Sequence, residues 1–148
     1  NGHMKIAKWL LSLPNNNINI NVEIDDTFAQ TCYNGHIEVA KWLLSLPNNN
    51  ININVDDDFV FAVSCSHYRE DVVKWLLKIG KFTDKVINEC VNYYDENTIK
   101  QIFEQGYKPL NDKMKEHYKE YKERKQVIKQ KSGIYMIPEL AELVYECI

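Results

Sequence analysis

The sequence predicts an all-α fold built by repetition: antiparallel helix pairs, stacked in series and separated by projecting, extended fingers. Three observations predict it. Residues 1–22, NGHMKIAKWLLSLPNNNININV, return at 34–55 as NGHIEVAKWLLSLPNNNININV, with changes at only three positions. Trp9, Trp42 and Trp75 fall 33 residues apart, as do Phe28 and Phe61, Ala29 and Ala62, and Cys32 and Cys65. Within each period the apolar residues recur at helical spacing, and a proline with an alternating segment closes the unit. A unit of this kind cannot bury its apolar face alone, so it stacks on its neighbours.

The elements follow in order. Asn1, Gly2 and His3 match Asn34, Gly35 and His36 in register, so the chain is read as entering mid-repeat, and its open end is expected to show apolar surface. In the next unit, DDTFAQTCYNGH starts with Asp at a helix N-cap position and runs Phe28, Ala29, Thr31 and Cys32 along a short helix. It breaks at Asn34-Gly35, which suit a turn with positive φ. IEVAKWLL then gathers Ile37, Val39, Ala40, Leu43 and Leu44 on one broad helical face and leaves Glu38 and Lys41 outside it. Pro47 forbids continuation, and NININV alternates polar with apolar, the two-residue period of an extended finger. The period divides 1–109 into a partial repeat 1–24, repeats 25–57 and 58–82, and a degenerate repeat 83–109.

Residues 110–131, LNDKMKEHYKEYKERKQVIKQK, lose the period but keep Leu110, Met114, Tyr118, Tyr121 and Ile128 at helical spacing. Lys119 with Glu123 and Glu120 with Arg124 add i,i+4 ion pairs. Ser132-Gly133 end this helix, and Pro138 opens a short one in which Leu140, Leu143, Val144 and Cys147 share a face. Residues 110–148 read as a C-terminal helical cap or tail.

The 148 residues are 45% hydrophobic, enough for a core. The apolar stretches fall short of the ~18 residues that cross a bilayer, and no basic-then-apolar leader opens the chain, so a soluble, cytoplasmic protein is expected. Cys32, Cys65, Cys90 and Cys147 are far apart with no CxxC pair, which favours reduced thiols. The net charge of −3 conceals an asymmetry. Residues 1–106 carry nine Lys or Arg against fourteen Asp or Glu, and residues 107–131 carry nine against four. The asparagine runs suggest an AT-rich genome and read as carrying no chemistry.

NGHIEVAKWLL and NGHMKIAKWLL resemble the ankyrin repeat, as do EDVVKWLLKIG with its closing Gly80 and, more weakly, ENTIKQIFEQG ending at Gly106. The resemblance covers about three quarters of the chain. The family's Thr-Pro-Leu-His opening is replaced by Asp26-Thr27-Phe28-Ala29 and by Phe59-Val60-Phe61-Ala62, and Tyr68 takes the Gly35 position. The Trp in AKWLL, the Cys in TCYNGH and the Asn-rich fingers look most like the divergent ankyrin arrays of giant DNA viruses. The resemblance implies an ankyrin-repeat solenoid and a non-enzymatic, monomeric protein-interaction module that needs no cofactor or metal. Its fingers and first helices would line a concave groove.

No catalytic residues are expected. His3 and His36 hold the family's Gly-His turn position, and Cys65 is the register-mate of Cys32, not a nucleophile beside His67. The acidic groups Glu23, Asp25 and Asp26, and Asp56, Asp57 and Asp58, stand at the roots of successive fingers, where some cap helices. Gathered on one edge, they also form a negatively charged recognition surface. The protein-binding residues expected are Glu23, Asp25, Asp26, Gln30 and Tyr33 in one unit, and Asp56, Asp57, Asp58, Val63 and Ser66 in the next. Most of these positions differ between copies, as Tyr33 and Ser66 do. The expected partner is another protein of basic or mixed charge. Two further functions stay open. MIPELAELVYECI faintly resembles the start of an F-box-like helix, as in ubiquitin-ligase adaptors. The basic helix 110–131, with Lys113, Lys115, Lys119, Lys122, Arg124, Lys125 and Lys129, would attract nucleic-acid phosphate, although four interspersed acids argue against it. No membrane contact is expected.

Overall fold

A computed structural model describes residues 2–14 and 17–131, and every regular element among them is helical. In order these are α1 (Gly2–Ser12), α2 (Ile24–Tyr33), α3 (Ile37–Ser45), α4 (Val55–Ser66), α5 (Glu70–Ile79), α6 (Asp84–Glu89), a 3-10 turn at Val91–Tyr93, α7 (Glu96–Glu104) and α8 (Asp112–Lys131). The helix expected after Pro138, with Cys147 and the F-box-like segment, lies outside the described residues. One compact unit ends at Leu110 and a second begins at Asn111.

In the first unit, several apolar positions that agree between copies lie in the core. Phe28 and Phe61 are fully buried, as are Cys32 and Cys65 one turn further on. Helix α2 packs on α3 and on α4, α4 packs on α5 and α6, and α5 packs on α7. Aromatic rings bridge the copies: Phe28 lies 6.2 Å from Trp75, and Phe61 lies 4.5 Å from Phe82. At the N-terminal end Ile6, Trp9, Leu10 and Val22 are exposed, while Leu43, the register-mate of Leu10, is buried. The turn after α2 needs Gly35, whose φ is +75°. A Cβ there would stand 3.0 Å from Arg69 Cδ. Arg69 uses that space to donate from Nε to the Tyr33 carbonyl at 2.8 Å, capping the end of α2.

The expected Asp N-cap of α2 does not form. The helix starts at Ile24, the preceding Glu23 is left-handed at φ 50°, and no side chain caps it. The reason is competition: Asp25 Oδ1 accepts from the Asn52 amide at 2.8 Å, so its carboxylate serves the following finger. Among the described α2 to α7, side-chain N-caps appear only at α6 and α7, where Thr83 accepts from the Val86 amide and Asp95 from the Thr98 amide.

The fingers pair through side chains, and no strand ladder forms among the described residues. Asn21 Nδ2 donates to the Asn48 carbonyl at 3.1 Å, and Asn54 Nδ2, one period later, donates to Lys81 at 2.9 Å. Asn88 Nδ2 makes the third rung, to the Lys108 carbonyl at 2.8 Å. Aspartates accept in parallel: Asp25 from Asn52, Asp58 from the Thr83 amide at 2.7 Å, and Asp84 from the Lys108 amide at 2.9 Å. The asparagines therefore do structural work that composition alone hides. They satisfy backbone groups that would otherwise need a β-ladder or water.

Asp56, Asp57 and Asp58 follow one another in the left-handed region, at φ 49°, 53° and 66°. Each L-residue there costs roughly 1–2 kcal/mol, and glycine escapes that cost for ~0.5–1 kcal/mol of extra chain entropy. Asp57 is exposed, so Asp57→Gly is expected to raise stability by about 0.5–1 kcal/mol and Asp57→Ala to lower it, read by urea denaturation.

In the second unit, Asn111 Oδ1 accepts from the Met114 amide at 2.8 Å and starts α8. Along the helix Lys122 lies over the Tyr118 ring at 4.6 Å and Lys125 over Tyr121 at 5.0 Å. These lysines rest on tyrosines of their own helix.

Candidate functional site

On α2, residues 26, 30 and 33 follow i, i+4, i+7 spacing and share one face, opposite the buried Phe28 and Cys32. Their register-mates on α4 are Phe59, Val63 and Ser66. Asp26, Gln30, Tyr33, Phe59 and Val63 come together in a groove of about 590 Å³, completed by Thr27, Ala29, Thr31, Asn34 and His36. No lysine or arginine is among these lining residues. Tyr33 is half-buried, its ring centroid 4.0 Å from that of His67. The His36 amide donates to the Thr31 carbonyl, and its carbonyl accepts from Val39 and Ala40, which fixes the turn at the groove mouth.

The remaining expected residues divide. Ser66 is exposed beyond the groove lining, with its hydroxyl donating to the Val63 carbonyl at 3.1 Å. Glu23, Asp56 and Asp57 are exposed but do not line the groove. Asp58 is 2% exposed and accepts from Asn54 Nδ2 at 2.6 Å as well as from Thr83. The acidic edge thus splits: Asp25 and Asp58 hold fingers together, and Asp26 alone of the six faces the groove. Phe59 escaped the sequence reading, although it is 49% exposed and stands in the groove. The signal was present: the 33-residue register sets Phe59 against Asp26, whereas matching the acidic blocks as blocks hides it.

The described thiols, Cys32, Cys65 and Cys90, are buried. Burial pushes the Cys32 thiol up to about 12. The Cys65 thiol is raised by its hydrogen bond with Cys90 and then by burial. His67 turns outward, its Nδ1 3.0 Å from the Val63 carbonyl, so it does not address Cys65. Among the described residues, no group of three or more His, Cys, Asp or Glu is placed to hold a metal ion. No described helix is long and apolar enough to cross a membrane.

Behind the groove, Lys74 joins α5 to α7 through ion pairs with Glu70 and, at 3.0 Å, with Asp95. Burial raises the Asp95 carboxyl, but hydrogen bonds from the Thr98 hydroxyl and amide and from Lys74 outweigh it and hold it well below the usual carboxylate range. A folded-state value below the unfolded one gives stability that is present above the unfolded value of 3.8 and lost as pH falls toward the folded one. The stability gap between wild type and Asp95→Asn is expected to hold steady above about pH 5 and to close as pH falls below about 3. Urea midpoints across that range check it.

A scan against protein-family models and searches of curated proteins and of solved structures match nothing to this chain.

Proposed function

We propose that the chain is a non-enzymatic protein-binding module of the ankyrin-repeat type, and that the groove between α2 and α4 receives its partner. The repeated NGH turns, the helix pairs α2 with α3 and α4 with α5, and the succession of α2, α4 and α6 support the ankyrin reading. One observation carries the function. Phe28 with Phe61 and Cys32 with Cys65 agree between copies and are buried, whereas positions 26 with 59 and 30 with 63 differ and line one groove. The partner is another protein of basic or mixed charge, because the exposed Asp26 carboxylate lines a groove without a lysine or arginine among its lining residues.

The test is affinity capture with wild type and with Tyr33→Ala/Phe59→Ser, both checked for helix content. Truncating a groove hot spot costs roughly 2 kcal/mol or more, which is about 30-fold in affinity. A captured protein lost with the variant, and weakened by salt, supports the proposal. Undiminished recovery of every captured protein contradicts it.

A further inference from the structure

The chemistry of the groove's occupant can be specified, on the reading that this groove is the docking surface. We infer that it takes an amphipathic helix, with apolar residues toward α4 and a basic residue toward α2. The two walls differ in kind: Asp26 and Gln30 make the α2 wall polar, while Phe59 and Val63 make the α4 wall apolar. Phe59 is 49% exposed, a large ring left half uncovered. The Asp26 carboxylate is exposed, and no lysine or arginine lines the groove to neutralise it, so charge complementarity asks the occupant for the cation.

Backbone satisfaction selects the helical form. Both walls are helical, so the groove offers no strand edge to which an extended peptide could add. An extended chain would press unpaired N–H and C=O groups against Phe59 and Val63, whereas a helix brings its own hydrogen bonds. The geometry also matches. Residues 59 and 63, and 26 and 30, are each one helical turn apart, about 6 Å along the axis, the rise between i and i+4 anchors of an occupant helix.

The probe is a displayed library of helix-forming peptides randomised along one face, selected against the full chain. The expected winners carry apolar residues at i and i+4 beside Arg or Lys, and Phe59→Asp weakens them roughly tenfold or more. Reselection on Asp26→Lys is expected to exchange the basic residue for Asp or Glu. The inference is overturned by winners without a charge preference, by binding that ignores both substitutions, or by no enrichment at all. If a captured folded protein still depends on Tyr33 and Phe59 in that event, the groove stands as a docking surface and the amphipathic helix alone falls.

Discussion

Phe61→Ala is expected to lower stability by about 4 kcal/mol, the largest effect of any single change considered. The side chain is fully buried, and its ring packs 4.5 Å from Phe82. It sits on α4, the helix that contacts α2, α5 and α6 together. Truncation removes apolar burial and leaves a cavity that helices fixed on three sides cannot easily close. A domain of this size has ~5–15 kcal/mol in all, so the variant stands close to unfolding. Phe28→Ala, at a position equally buried but on a helix whose packing partners are only α3 and α4 among the larger contacts, is expected to cost less. Tryptophan fluorescence during urea unfolding measures both, and a loss below about 1 kcal/mol for Phe61→Ala would contradict the packing described here.

Asp58→Ala comes second, at about 3 kcal/mol. Its two carboxylate oxygens accept from Asn54 Nδ2 and from the Thr83 amide, and Asp58 itself is 2% exposed. Two donors are then left without their acceptor, at ~1–3 kcal/mol for such groups, and alanine fits the φ of 66° less well than aspartate. Its register-mate is the control. Asp25 is half-buried and makes the same kind of rung with one bond, to the Asn52 amide, so Asp25→Ala is expected to cost about 1 kcal/mol. Equal losses at the two positions would remove the distinction between a buried rung and a partly solvated one.

The helices were legible because their evidence is local and repeated: the spacing of Phe28, Ala29 and Cys32, the break at Asn34-Gly35, and Pro47 after the second helix. The all-helical character follows from that spacing. The fingers were not legible, because alternation in NININV signals an extended chain but cannot say what satisfies its backbone. The answer lies in side chains reaching 27 residues along the sequence, from Asn21 to Asn48 and from Asn54 to Lys81. Such bonds leave no local pattern, and asparagine runs look like compositional bias. The aspartates misled for a related reason. A run of three acids reads as a solvated edge or a set of caps, while here its members are left-handed and the last is buried. The groove was half visible: Asp26, Gln30, Tyr33 and Val63 lie in it, but Phe59 stood out only as part of the segment that replaces the family's opening, and its acidic neighbours drew attention away from it.

Hydrogen–deuterium exchange of the chain alone and with its captured partner shows whether the partner seats in the groove between α2 and α4. Slowed exchange is expected in 26–33 of α2 and 59–66 of α4, with little change in α8. Slowing confined to α8 or to the fingers, with α2 and α4 unaltered, would contradict it.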